Sequence, residues 1–131
     1  MRFFQSYFNK QLDFQKKVAS IYGYKNLKQE EKLPTDNVDV ASYHMLALLE
    51  EAGELVKSDK RWKNFRNQHY DKKNKLEEIA DCIITLFNIC IFSGISAEEL
   101  ESALFNKMQE NDGRIVKNDI NYEVYKYGDN S

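Results

Sequence analysis

The chain has 131 residues, of which 42% are hydrophobic and 31% are charged, and it carries a formal net charge of −2. This length predicts a single domain, residues 1–131, and a charge so close to zero gives no reason to expect binding to a nucleic-acid polymer. With only five glycines and one proline, the composition disfavours a turn-rich β protein and favours long helices.

The long apolar run at residues 79–92 contains Asp81 and is too short to cross a bilayer, so no membrane partner is expected. The two cysteines, Cys82 and Cys90, both lie in this run. Eight helical residues would separate them by about 12 Å, which is too far for a disulfide. Polar residues near the N-terminus interrupt any signal-peptide core, and the cytoplasm is therefore the expected location.

The first two predicted helices cover residues 3–22 and 38–58. In the first, a mainly apolar stripe recurs at helical spacing. Its members are Phe4, Phe8, Leu12, Gln15, Ala19 and Tyr22. Gly23 suits the end of this helix, and either Asp36 or Asn37 can cap the start of the second.

The third and fourth predicted helices cover residues 75–93 and 97–111. Gly94 ends the third, and Ser96 with Glu99 three residues later forms a capping box for the fourth. The tail, residues 112–131, is compatible with a short strand, an arm on a partner subunit or no fixed structure. Four helices with short connections predict an all-α protein built as an antiparallel four-helix bundle.

Asp81 is the unusual residue of the third helix, because its neighbours in the segment KLEEIADCIITLFNICIF are nearly all apolar. If the helix is buried there, an unpaired carboxylate costs several kcal/mol or takes up a proton. The pattern therefore predicts a partner that compensates the charge of Asp81.

Two helices carry acidic residues three positions apart, a spacing that puts both side chains on one face. Glu51 and Glu54 form such a pair on the second helix, and Glu78 and Asp81 form one on the third. If the two faces meet, four carboxylates converge and raise one another's pKa. A divalent cation would relieve the repulsion, and oxygen-only ligands suit Mg²⁺, or Mn²⁺ in its place, better than zinc or copper.

These acids have two other interpretations. Any single glutamate can be an ordinary solvent-facing helix residue. A ferritin-like di-iron bundle also turns carboxylates inward, but it uses Glu-x-x-His, and neither His44 nor His69 follows a glutamate at that spacing.

The two motifs, in EEAGEL and EEIADCIITLFNI, resemble those of the all-α nucleoside triphosphate pyrophosphohydrolases, the group of MazG-like enzymes and dimeric dUTPases. Residues 55–77 separate the motifs here, and the resemblance covers about residues 38–115. It implies a MazG-like helical bundle that forms a homodimer or homotetramer. It also implies Mg²⁺-dependent hydrolysis of a nucleoside triphosphate to the monophosphate and pyrophosphate.

The resemblance implies a role for each residue of the motifs. Glu51, Glu54, Glu78 and Asp81 would bind the metal, and Glu50 or Glu51 would accept the proton of the attacking water. On the fourth helix, a basic and amide set would bind the substrate. Its members are Lys107, Asn111 and Arg114. A solvated helix face is the alternative for the two cations.

Two further residues are candidates for substrate binding. His44 lies two turns before Glu51 and either approaches a nucleobase or belongs to the core. Trp62, the sole tryptophan, lies in a basic connection and either stacks on a base or packs against the bundle. The proposed activity would clear unwanted nucleotides; the alternative from another class is a catalytically silent helical module that binds a nucleotide or a protein.

Overall fold

The computed structural model describes residues 2–22, 33–63 and 70–116. These residues form four α-helices and one short 3₁₀ turn, Lys60–Trp62, and no strand occurs among them. The α-helices are α1 (Arg2–Tyr22), α2 (Val38–Ser58), α3 (Lys72–Ile91) and α4 (Ala97–Val116). The expectation of an all-helical protein with four α-helices is confirmed for this part of the chain. None of the four is apolar over a length sufficient to span a membrane.

Side-chain caps define where the helices begin. The side chain of Asn37 accepts hydrogen bonds from the backbone N–H groups of Asp39 and Val40, at 2.9 and 3.1 Å. The predicted capping box forms, since the Glu99 N–H donates to Ser96 Oγ at 3.1 Å and the Ser96 N–H donates to Glu99 Oε1 at 3.0 Å. Each cap satisfies N–H groups that have no partner within the helix.

Two predicted boundaries are wrong by several residues. Helix α3 begins at Lys72, because Asp71 caps it by accepting from the Asn74 N–H at 3.1 Å. Helix α4 continues to Val116, where the sequence pattern predicted an end at 111. Ion pairs one turn apart favour this extension: Glu110 contacts Lys107 at 3.5 Å and Arg114 at 3.6 Å. The remaining tail, residues 117–131, lies outside the described residues, as does Gly23.

The buried apolar core lies around the C-terminal end of α3 and the start of α4. Its members are Phe8, Leu33, Phe87, Cys90, Ile91, Phe92 and Ala97. Phe87 is central, since its ring meets those of Phe4 and Phe8 edge-on, with centroids 5.6 and 5.3 Å apart. The predicted stripe of α1 thus faces this core, as far as its side chains are described: Phe4 and Leu12 pack against it as well.

A polar contact fixes α1 against α3. Asn88 Oδ1 accepts hydrogen bonds from the side-chain amides of Gln11 and Gln15, at 2.8 and 3.0 Å. Gln15 is buried, so the bond satisfies an amide that would otherwise cost free energy. Helices α2 and α3 pack closely against each other, whereas α4 packs chiefly against α1. Both predicted acidic pairs lie on α2 and α3, so the packing of these two helices determines how the acids are arranged.

We expect Gly94→Ala to lower the free energy of unfolding by about 1 to 2 kcal/mol, the cost of the left-handed conformation for a residue with a Cβ atom. Gly94 has a φ of 72°, in the turn that ends α3. Gly113→Ala is the matched control, because a Cβ there meets no atom within 4 Å and alanine is the better helix former. Urea unfolding should give opposite signs for the two variants; a stabilising Gly94→Ala would contradict the turn geometry.

Candidate metal centre

Helices α2 and α3 bring three of the four predicted carboxylates together. One carboxylate oxygen from each of Glu51, Glu54 and Glu78 lies within 4.8 Å of the others. Glu51 and Glu54 reach the same place because they are three residues apart on α2. Glu78 approaches from α3, which packs along α2.

Two of the three carboxylates each have one oxygen atom that is buried, whereas glutamate side chains are mostly exposed. Glu51 and Glu78 are partly buried, and Glu54 is exposed, so the group is open to solvent on one side. The Oε2 atoms of Glu51 and Glu78 are each buried without a hydrogen-bond partner among the described residues. A buried acceptor with no partner is rare in folded proteins and calls for a compensating group.

The electrostatics of the group point the same way. Burial raises the pKa of Glu51, and the charges of Asp81, Glu54 and Glu78 raise it further. Burial also raises the pKa of Glu78, with added repulsion from Glu54 and Asp81. The protein therefore holds several negative charges together at a cost in free energy.

These residues fit a small divalent cation. Mg²⁺ binds oxygen ligands at about 2.1 Å, so two ligands on opposite sides are about 4.2 Å apart, a separation within the spread observed here. Three carboxylates from the protein would leave other coordination positions for water or phosphate oxygens. Histidine and cysteine, the ligands that favour zinc, are not part of the group.

Asp81 does not lie where its sequence context suggested. Its side chain is exposed, so the expectation of a buried carboxylate is wrong, and it is not one of the three converging residues. The three-residue spacing places Asp81 on the same side of α3 as Glu78, but its side chain stays exposed and only Glu78 meets the carboxylates of α2. Asp81 is nevertheless close enough to raise the pKa of both Glu51 and Glu78, at the rim of the group.

The other catalytic and base-binding candidates are arranged around α2. Glu50 is exposed next to Glu51 and adds to its raised pKa. His44 is buried, with only 4% of its surface exposed, and its ring stacks on Phe92 at a centroid distance of 4.4 Å. Burial lowers the pKa of His44, which favours the neutral ring. Its Nε2 atom has no partner among the described residues.

Trp62 is not buried against the bundle, since 63% of its surface is accessible; stacking on a base stays a prediction. Its indole lines a cavity of about 430 Å³ at the α2–α3 connection. The other lining residues are Leu55, Asp59, Arg61, Lys75 and Ile79. Asp59 accepts hydrogen bonds from Arg61 in the 3₁₀ turn and from Lys75 in α3. The sequence pattern did not indicate Asp59 as a site residue, because these contacts join two different elements.

The basic and amide set lies on the solvent-exposed surface of α4. Lys107, Asn111 and Arg114 are all exposed, and both cations contact Glu110. Helix α4 packs chiefly against α1, and the role of this set in substrate binding stays a prediction.

Comparison of the chain with models of known protein families, with curated proteins and with solved structures finds no match. The functional interpretation therefore depends on the chemistry of the carboxylate group and on the motifs that carry it.

We expect Glu78→Gln to stabilise the metal-free protein at pH 7, because the variant removes a carboxylate that is ionised at a cost. A raised pKa means that the folded state binds protons more tightly than the unfolded state, so this cost is present above the folded pKa and disappears as the pH falls. The gain should shrink as the pH approaches 4.5, the ordinary pKa of the side chain.

Urea unfolding in a chelating buffer at several pH values checks this expectation. Glu98→Gln is the matched control, because Glu98 is exposed in the first turn of α4; there the loss of a charge that favours the helix dipole should not stabilise. A destabilising Glu78→Gln at pH 7 would show that the carboxylates do not repel one another.

Proposed function

We propose that this protein is a Mg²⁺-dependent nucleoside triphosphate pyrophosphohydrolase that converts a nucleoside or deoxynucleoside triphosphate to the monophosphate and pyrophosphate. The observation that carries the proposal is the convergence of Glu51, Glu54 and Glu78, with two buried carboxylate oxygens that lack partners within the described residues. The resemblance of the paired acidic motifs to the MazG-like enzymes supplies the reaction type and the helical-bundle arrangement.

The proposed chemistry assigns the carboxylates two tasks. Glu51, Glu54 and Glu78 would hold the metal, and Asp81 at the rim would be the fourth acidic residue of the site. Bound Mg²⁺ would neutralise phosphate oxygens and lower the pKa of a coordinated water. Glu50 or Glu51 would accept the proton of that water; a raised pKa makes Glu51 a stronger base than an ordinary glutamate.

The nucleotide would lie between this site and the neighbouring aromatic and basic groups. Trp62 offers an exposed ring for stacking on a base. The cations Lys107 and Arg114 and the amide of Asn111 are the further substrate-binding residues of the proposal. His44 is not among them, because its ring is buried against Phe92. We place the activity in the cytoplasm, since Cys82 and Cys90 are both free thiols.

A screen of normal and modified nucleoside triphosphates with Mg²⁺ or Mn²⁺, followed by identification of the products, tests the proposal. We expect release of pyrophosphate from at least one nucleotide. Glu51→Gln and Glu78→Gln should each lower kcat/KM by about 100-fold or more, because loss of a metal ligand removes most of the charge stabilisation in phosphoryl transfer.

Glu98→Gln is again the control and should keep the wild-type rate, because Glu98 lies on the first turn of α4. Saturable binding of nucleotides with no turnover of any of them would overturn the proposal in favour of a catalytically silent binding module.

The same proposal includes self-association as a homodimer or homotetramer. Helix α2 exposes an apolar stripe at intervals of seven, four and seven residues, the spacing of a helix-packing seam. Its members are Val38, Met45, Leu49 and Val56, each between 54% and 76% exposed. A second copy of this chain is the partner that would cover the stripe, because a continuous apolar face on a helix favours packing against another such face.

We expect Leu49→Glu to produce monomers, since it places a charge in the middle of this stripe, where Leu49 is 70% exposed. Lys57→Glu on the same helix, whose side chain is also exposed but lies off the stripe, is the control and should leave the assembly intact. Sedimentation or light scattering measures the mass. A monomeric wild-type protein at micromolar concentration would contradict the proposed association.

A further inference from the structure

A compact ionic network closes the end of the α2–α3 pair, beside the cavity lined by Trp62. The Asp59 carboxylate accepts two hydrogen bonds from the Arg61 guanidinium, at 2.8 and 2.7 Å, and one from Lys75 Nζ, at 2.9 Å. The Arg61 guanidinium also lies over the ring of Tyr70, 3.6 Å from its centroid. Residues from α3 and from the 3₁₀ turn are thus tied to one carboxylate.

The network carries a surplus of positive charge. Hydrogen bonds from Arg61 and Lys75 hold the pKa of Asp59 well below its usual range, so one negative charge faces two positive charges. Lys75 gives one of its three N–H groups to Asp59, and Arg61 has five N–H groups. Arg61 and Lys75 therefore have N–H groups beyond those that bind Asp59, and the network has a net charge of +1, so it can bind an anion.

This surplus lies next to the candidate metal centre. Lys75 precedes Glu78 by three residues on α3, a rise of about 4.5 Å along the helix axis. Leu55 and Ile79, which line the cavity, directly follow Glu54 and Glu78 in the chain. A phosphate chain bound to a metal at the carboxylates would need to extend only a short way along the helix pair to meet Lys75.

We propose that this cavity is the polyphosphate subsite of the protein, in which Lys75 and Arg61 bind phosphate oxygens and Asp59 is the positioning residue that holds both cations in place. This inference rests on the proposed function for the identity of the ligand. Asp59 is suited to its role because it also ends α2 and accepts a hydrogen bond from the Arg61 backbone N–H, at 3.3 Å. Two long side chains held in advance lose less entropy when an anion binds.

Trp62 is the sole tryptophan of the chain and lines the cavity, so its fluorescence reports binding there independently of turnover. The experiment titrates the full chain with tripolyphosphate, pyrophosphate and an uncharged nucleoside in the presence of Mg²⁺. Lys75→Gln should weaken binding of tripolyphosphate by about tenfold or more, the value of one hydrogen bond to a charged group. Its affinity for the nucleoside should not change.

Lys73→Gln is the matched control: Lys73 has the same charge, is exposed, and lies two residues away on another side of α3. It should bind tripolyphosphate as the wild-type protein does. Asp59→Asn separates positioning from simple charge. If Asp59 positions the cations, Asp59→Asn weakens tripolyphosphate binding; if Asp59 only competes with the anion, the same variant strengthens binding and overturns its assigned role.

The outcomes also separate this inference from the proposed function. If the wild-type protein hydrolyses no nucleotide but Lys75→Gln still weakens tripolyphosphate binding, the subsite is supported and the proposed enzyme activity is rejected. If the protein hydrolyses a nucleotide and Lys75→Gln has the same KM and the same tripolyphosphate affinity as the wild-type protein, the enzyme activity is supported and the subsite is rejected. If the subsite is correct in an active enzyme, Lys75→Gln raises KM more than it lowers kcat, since the residue holds the phosphate without touching the attacking water.

Discussion

Repulsion among carboxylates held between two packed helices is the constraint around which this protein is organised. Glu51 and Glu78 are each partly covered by the α2–α3 contact, and neither Oε2 atom finds a hydrogen-bond partner among the described residues. Proteins seldom retain such an arrangement for stability, because apolar residues would pack there at lower cost. A bound cation would remove the repulsion and convert the cost into affinity, which supports our proposal that the group is a metal site.

The ionic network of Asp59, Arg61 and Lys75 lies beside the carboxylate group and is the second charged feature of the α2–α3 pair. At one place on the helix pair negative charge is in excess, and a short distance along the axis positive charge is in excess. A metal bound to a chain of phosphates has the opposite, complementary polarity: a cation at one end and uncompensated anionic oxygens beyond it. The two regions would together complement the metal–polyphosphate ligand that we propose.

The sequence correctly predicted the structural features that depend on residues close together in the chain, such as helices and helix caps. Helical periodicity located the four α-helices, and the Ser96–Glu99 capping box formed as predicted, because a cap is completed within a few residues. The end of α4 was missed, because Asn111, Asp112 and Gly113 are weak helix formers and predict a stop, whereas the helix continues to Val116. Spacing also predicted that Glu51, Glu54 and Glu78 converge, although it placed Asp81 inside the helix pair when its side chain is exposed at the rim.

The sequence by itself determined the helical class, the caps and the two acidic pairs, because each follows from periodicity or from residues within one turn of each other. Only the tertiary structure decided which carboxylates meet, since that depends on how α2 and α3 are rotated against each other. It also decided that Trp62 is exposed and that Asp59 joins Lys75 to Arg61. The apolar helix α3 forms one wall of the charged site, to which it contributes the partly buried Glu78.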